Sequence, residues 1–219
     1  MKTSMWKSHI LRSLMIACTL ALAGESYGQV FTAELIPDSI WERMQGRSYP
    51  EEGGIARSEL RWLRLSYYDF DQKEHVGEMV CNRLIADDIL YIFRELYREH
   101  YPIARMRLTD DYGGSDTRSM ADNNTSCFCH RNIAGSNKLS RHGRGMAVDI
   151  NPLYNPCVYL RTGKVEPKEG EAYARNRNGR KDIPGKIDTS DLCYRLFAER
   201  GFRWGGHWKS LRDYQHFEK

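Results

Sequence analysis

The feature that most constrains the fold is a pair of apolar segments joined by a short polar turn. Leu60–Phe70 is rich in leucine, tryptophan and tyrosine, as strands are, and Val76–Cys81 reads as the returning strand. Asp71–Glu74 lies between them and supplies the turn. The next segment, Ala86–Glu99, carries apolar residues at helical spacing, and Pro102 disfavours helical geometry just beyond it. These features predict a β-hairpin followed by an amphipathic helix.

The rest of the chain mixes strands and helices without the strand–helix–strand rhythm of a parallel sheet. Its 219 residues suit one domain with a real core better than two. We therefore predict an α+β fold, a single small domain with a central antiparallel sheet flanked by helices. The other predicted elements are a short helix around Ile40–Met44; strands at Ile103–Leu108, Thr125–Arg131, Met146–Ile150 and within 202–218; a long irregular loop at 155–188; and a helix capped by Thr189 or Ser190 that runs to Arg200 and stops at Gly201.

The first 28 residues have the order of a secretory signal peptide. Three basic residues precede a short apolar run, Leu14–Ala23, and small residues follow it. That run is about ten residues long, whereas a membrane-spanning helix needs about twenty. We expect residues 1–28 to be removed, no stable membrane span, and export to the periplasm or the exterior. A lipoprotein modified at Cys18 is the minor alternative. Residues 29–58 are then an N-terminal extension, and 59–219 the functional domain.

Charge and cysteine content add two limits. The net charge of +4 includes the three basic residues of the leader, so the remainder carries about +1 and gives no argument for nucleic acid. Removal of the leader leaves five cysteines, an odd number, so at least one thiol should be unpaired and one or two disulfides are allowed. For Cys127 and Cys129, two apart on a predicted strand, packing in the core is the default.

Two short segments carry the residues that metal chemistry needs. His142 and Asp149 lie in the glycine-containing run 140–149, and Asp213 and His216 lie near the C-terminus. A catalytic zinc ion takes three protein ligands and leaves a fourth position open. His142, Asp149 and His216 are the predicted ligands, and Asp213 is the predicted general base. Two histidines and two aspartates also occur together by chance, so the prediction depends on their order and spacing.

That order resembles a known family. Ser-x-His-x-x-Gly-x-Ala-x-Asp over residues 140–149, followed by Asp-x-x-His-Phe-Glu over residues 213–218, resembles the VanY-type zinc D,D-carboxypeptidases and L-alanyl-D-glutamate peptidases. The stretch 201–208, Gly-Phe-Arg-Trp-Gly-Gly-His-Trp, is similar to the lead-in of the second motif in that family. Residues 119–126 resemble a block that precedes the first motif, and the likeness extends over roughly 85–219.

The resemblance implies roles for individual residues. It assigns His142, Asp149 and His216 to Zn²⁺ and Asp213 to proton transfer. It also implies an arginine upstream of the first motif that binds substrate, for which Arg131 is the first candidate and Arg118 the second; a guanidinium pairs well with a carboxylate or an oxyanion. Ser140 is expected to bind substrate or to fix the turn. His207 is expected to neighbour the site without binding the metal.

The resemblance also implies the fold and the substrate. The family fold is a small α+β domain shared with the Hedgehog signalling domain, and its substrates are stem peptides of peptidoglycan. A D-Ala-D-Ala carboxypeptidase or a related murein endopeptidase is therefore predicted. One alternative is a non-catalytic, zinc-containing module that binds the cell wall, and the presence of Asp213 beside all three ligand positions argues against it. A structural envelope protein is the other alternative.

Overall fold

The computed structural model describes residues 28–133 and 135–219. The predicted signal peptide, with Cys18, lies outside the described residues except for Gly28. Within the described part, no helix is long and apolar enough to cross a membrane. In chain order the elements are β1 (Phe31–Glu34), α1 (Asp38–Met44), β2 (Leu60–Tyr68), β3 (Glu74–Asn82), α2 (Ala86–Arg98), β4 (Arg105–Met106), α3 (Asp116–Ala121), β5 (Asn124–Thr125), β6 (Ala147–Asp149), β7 (Cys157–Tyr159), β8 (Val165–Glu166), α4 (Glu171–Ala174), α5 (Leu192–Glu199), β9 (Arg203–Trp204), β10 (Leu211–Asp213) and β11 (His216–Glu218).

The predicted hairpin and helix are present and form the centre of the core. β2 and β3 pair over nine residues each, and the Asp69 carboxylate closes the turn by accepting from the backbone N–H groups of Asp71 and Lys73 at 2.9 Å. The apolar face of α2, including Ile89 and Phe93, packs on β2 and is fully buried. The long elements were predictable because their periodic apolar residues are the ones that they bury.

The predicted N-terminal extension contributes to this unit. β1 adds a third strand, pairing antiparallel with residues 62–65 of β2. Met44, at the end of α1, is buried in a second apolar cluster with Leu60 and Val80 of the hairpin. Residues 31–44 therefore pack on the hairpin, while the division at residue 58 stays a prediction.

The α+β class is confirmed, and the antiparallel strands of the described residues divide among three small sheets. These are β1–β2–β3, β10–β7–β8 and β6–β11–β9, each with three strands. The two-residue strands β4 and β5 pair in parallel. The sheet β6–β11–β9 brings the two sequence motifs together, because β6 ends the first motif and β11 ends the second.

Several short elements differ from the predictions. The strands predicted at 103–108 and 125–131 pair as strands only at 105–106 and 124–125, because the Asn124 side chain bonds both the N–H and the C=O of Arg107 in place of a longer ladder. Helix α3 was not predicted, and Ser115 caps it by accepting from Arg118 N at 3.3 Å.

The later part of the chain also departs from the predictions. Helix α5 is capped by Asp191, whose carboxylate accepts from Cys193 N at 2.9 Å, and not by Thr189 or Ser190. The stop at Gly201 is confirmed by its left-handed φ of 82°. The predicted irregular loop 155–188 contains β7, β8 and α4.

The five cysteines of the described residues are free and buried. Cys127 packs in the main core, as expected, and burial raises the pKa of the Cys129 thiol to about 12. The disulfides that the sequence allowed do not form among these residues.

Candidate active site

Backbone pairing places two of the predicted ligands side by side. Asp149 ends β6 and His216 begins β11, and the two are directly opposite in the antiparallel register. Residues opposite each other on one face of a pair lie within side-chain contact. His142 lies in a helical turn just before β6, and all three side chains are buried.

Gly145 fixes the turn that carries His142. Its φ of 66° is left-handed, and a Cβ there would lie 2.7 Å from the backbone nitrogen of Asn82 in β3. That nitrogen donates to the Gly145 carbonyl oxygen at 2.8 Å. Only glycine satisfies both requirements, which gives this fixed position of the motif its physical reason.

Three donor atoms meet at the centre of the site. The distances are 3.1 Å from His142 Nε2 to His216 Nδ1, 3.1 Å from His216 Nδ1 to Asp149 Oδ1, and 3.3 Å from His142 Nε2 to Asp149 Oδ1. Tetrahedral zinc, with bonds of about 2.0–2.2 Å, separates its donor atoms by about 3.3–3.6 Å. The triangle is close to one face of such a tetrahedron, and its nitrogen and oxygen donors suit zinc.

The two imidazoles face this point through different nitrogens. His142 Nδ1 lies 2.6 Å from the carbonyl oxygen of Cys127, so it carries a proton and donates it, and Nε2 is free to bind a metal. His216 presents Nδ1 instead, and its Nε2 lies 3.4 Å from the carboxylate of Glu218. Glu218 was absent from the predicted site residues. The signal that could have found it is its spacing of two from His216, which places both on one face of a strand.

The electrostatics of the cluster favour a cation. Burial opposes ionisation of Asp149, but the His142 and His216 imidazoles outweigh it and hold the pKa of this carboxyl well below its usual range. Burial likewise opposes charge on His216, yet the Asp149 and Glu218 carboxylates raise its pKa to about 10. His216 thus carries an extra proton next to two carboxylates, and a bound metal ion would replace that proton.

Asp213 lies at the end of β10 and lines one cleft together with His142, Asp149 and His216. Its Oδ1 is buried and has no hydrogen-bond partner. Burial raises the pKa of the Asp213 carboxyl to about 6, against the lowering influence of His216 and with a further rise from Asp149. Gly205 packs against it so tightly that a Cβ there would lie 2.8 Å from the Asp213 Cβ. A carboxylate with one buried, unpartnered oxygen and a pKa near neutrality is suited to accept a proton.

Arg131 lines the cleft and Arg118 does not. The Arg131 guanidinium pairs with the Asp116 carboxylate at 2.7 Å, while its Nε is buried and unpartnered. Arg118 donates to the backbone oxygen of Tyr112 instead. The geometry therefore favours Arg131 as the arginine that meets a substrate.

Ser140 is buried at the wall of the cleft. Its hydroxyl accepts from the backbone N–H of Gly143 at 2.9 Å. This bond holds the turn that carries His142, which agrees with the turn-fixing alternative. A substrate contact by Ser140 stays a prediction.

The predicted site residues share one cleft of about 520 Å³. Trp208 forms part of its wall, with its ring 5.1 Å from that of His216. His207 is exposed and packs against Trp204 and Tyr194 outside the cleft, in keeping with its predicted place as a neighbour. That volume lies within the range of about 300–1,000 Å³ that is typical of ligand-binding pockets.

Residues 134–219 match the model of a protein family described as D-alanyl-D-alanine carboxypeptidase. The matched segment contains all three candidate ligands and Asp213. The match confirms the resemblance seen in the two motifs and supports a peptidase of this type. No solved structure gives a significant match to the chain.

Proposed function

We propose that this chain, similar over residues 134–219 to D-alanyl-D-alanine carboxypeptidases, is a zinc-dependent peptidase that hydrolyses stem peptides of peptidoglycan. The observation that carries the proposal is the triangle of three donor atoms in one cleft with Asp213, whose Oδ1 is buried and has no hydrogen-bond partner. A D-Ala-D-Ala carboxypeptidase or a related murein endopeptidase fits it. Export to the periplasm or the exterior, which residues 1–28 predict, would bring the enzyme to this substrate.

His142, Asp149 and His216 would hold the zinc ion. When bound, zinc polarises a peptide carbonyl and lowers the pKa of water to about 7. Asp213 accepts a proton from the attacking water, and its raised pKa lets it return that proton to the leaving amine near neutral pH. Burial of Asp213 Oδ1 limits competition from solvent, which strengthens its interaction with a charge that develops in the cleft.

Arg131 would bind the negative charge of the substrate. Its guanidinium offers several donors in a planar fork, and Asp116 occupies only part of that fork. Asp116 therefore orients Arg131 while other donors stay available for a carboxylate or for the carbonyl oxygen of the scissile bond.

The experiment that tests the proposal is a digest of purified muropeptides. The mature protein, loaded with zinc, is incubated with pentapeptide muropeptides, and the products are identified by mass spectrometry. Loss of one D-alanine indicates a carboxypeptidase, and cleavage within the stem indicates an endopeptidase. Protein treated with a chelator should release neither. Binding of muropeptides with no product would support the wall-binding module instead.

A further inference from the structure

The central strand β11 sorts its side chains onto two faces. Phe217 points into the main core and is fully buried. His216 and Glu218, on either side of it, point to the opposite face, because side chains alternate along a strand. Their cross-strand partners in the register are Asp149 for His216 and Arg203 for Glu218. One face of the sheet therefore carries two candidate ligands and an adjoining ion pair.

Glu218 connects the second histidine to this ion pair. One carboxylate oxygen, Oε2, lies 3.4 Å from His216 Nε2, and the other, Oε1, lies 2.7 Å from a guanidinium nitrogen of Arg203. The Glu218 side chain is 14% exposed and that of Arg203 is 68% exposed. Glu218 is thus held between a buried ring and a solvent-facing arginine.

The two histidines are oriented by different means. The ring of His142 is held by a main-chain oxygen, that of Cys127, which no side-chain substitution removes. The ring of His216 depends on a side chain, since Glu218 is the group at its Nε2. A carboxylate at this position fixes the ring and its tautomer, and it makes the other nitrogen a stronger donor to a metal.

We propose that Glu218 is a positioning residue that orients His216 and strengthens metal binding, and that Arg203 holds Glu218 in place. The inference rests on the metal site of the proposed function and is independent of peptidase activity. Its consequence is that metal affinity responds to a residue that does not touch the metal.

The test is the zinc affinity of variants, measured by competition with a chromogenic chelator. Glu218→Ala should weaken zinc binding about 10–100-fold, the usual effect of losing such a partner. Glu218→Gln should lose less zinc affinity, because the glutamine amide oxygen can still accept a hydrogen bond from His216 Nε2. Arg203→Gln should show the smallest loss of zinc affinity, because Arg203 contacts Glu218 and not the ring of His216. Glu95→Ala is the matched control: Glu95 also pairs with a largely exposed arginine, Arg98, at 2.9 Å, but on α2 and outside the cleft.

Thermal unfolding of the metal-free proteins separates positioning from general destabilisation. Because Arg203 is largely exposed and Asp149 stays beside the buried His216, loss of Glu218 leaves neither charged group without a partner or solvent, and the unfolding temperature without metal should stay close to that of the control. Zinc affinity of Glu218→Ala within twofold of the unaltered protein would overturn the inference alone. An equal loss of zinc affinity in Glu95→Ala would overturn it as well. Absence of zinc binding in the unaltered protein would overturn the proposed function together with it.

Discussion

The hairpin of β2 and β3 differs from the sheet β6–β11–β9 in length, in what it buries and in how it is held. The hairpin has two nine-residue strands joined by a short turn, and apolar residues from α2 cover it. The sheet β6–β11–β9 has strands of two or three residues, and β6 lies more than fifty residues before β9 and β11 in the chain. Its inner face packs Phe217, while its outer face holds buried His216 and Asp149.

The difference shows where stability and chemistry are located. Apolar burial in the hairpin and α2 is a favourable term that depends little on exact geometry. Burial of two imidazoles and a carboxylate is unfavourable unless each is paired, and here they pair chiefly with one another. We expect substitutions in the first region to change the free energy of unfolding, and those in the second to change metal binding and activity.

The largest expected effect is that of Asp213→Asn. Asparagine has nearly the same size but no basic carboxylate, so hydrolysis of muropeptides should fall by about 10²–10⁴-fold or more. Zinc content and unfolding temperature should be retained, because Asp213 is not among the three donor residues. Asp71→Asn, in the exposed hairpin turn, is the control. Loss of zinc in Asp213→Asn would make Asp213 a ligand, and full activity with zinc present would remove it from the mechanism.

Phe93→Ala should act on the other region. Phe93 is 1% exposed in the core under α2, and its truncation should cost about 3–5 kcal/mol in the free energy of unfolding, measured with urea. Zinc affinity of the folded protein should be unchanged. Arg98→Ala, on the exposed face of the same helix, should cost less than about 0.5 kcal/mol. A weaker zinc affinity in Phe93→Ala would show that the two regions are not separate.

Gly145→Ala should affect both regions, because Gly145 belongs to the turn that carries His142 and contacts Asn82 of β3. The left-handed backbone costs about 1–3 kcal/mol for a residue with a side chain, and the close approach to Asn82 adds to it. Both unfolding free energy and zinc affinity should fall. Gly163→Ala is a matched control, since Gly163 has a φ of 71° and no atom near its Cβ position. Equal effects of the two substitutions would show that the contact with β3 is unimportant.

The smallest effect concerns pH and the cap of α5. Burial raises the pKa of Asp191 to about 6, against the lowering effect of the hydroxyl of Tyr101, which donates to it at 3.2 Å. A raised pKa means that the folded state holds its proton more tightly than the unfolded chain. The stability from this group is therefore fully present below about pH 4 and is lost as the pH rises through about 6.

Asp191→Asn should remove that dependence, because asparagine caps helices well and carries no charge. The measurement is urea unfolding of both proteins from pH 4 to 7, and the gain in stability of the variant should grow with pH. A constant difference between the proteins across this range would contradict the assignment.

The long elements and the residues of the two motifs were predictable from the sequence. The hairpin and α2 were predictable because apolar periodicity over nine or more residues identifies a buried face. Short elements were not, since α3 has six residues and begins at a cap formed by Ser115. The ion pair of Arg131 with Asp116 joins residues that are fifteen apart, with most of α3 and all of β5 between them, and no local pattern indicates it.

The site shows the same limit. His142, Asp149, His216 and Asp213 were identified by their order along the chain, and the structure places them around one cleft. The spacing of two between His216 and Glu218 indicates that both lie on one face of a strand, but the ion pair of Glu218 with Arg203 depends on the pairing of β11 with β9, which the sequence does not specify. The orientation of His142 by the Cys127 carbonyl was also beyond sequence reasoning, because any residue supplies that oxygen.

The central claim, that three residues hold one zinc ion, is tested most directly by the zinc content of purified protein. Elemental analysis should find one zinc per chain in the unaltered protein and almost none in His142→Ala or His216→Ala. His207→Ala should retain its zinc, because His207 packs on Trp204 outside the cleft. Undiminished zinc in both ligand variants would contradict the account.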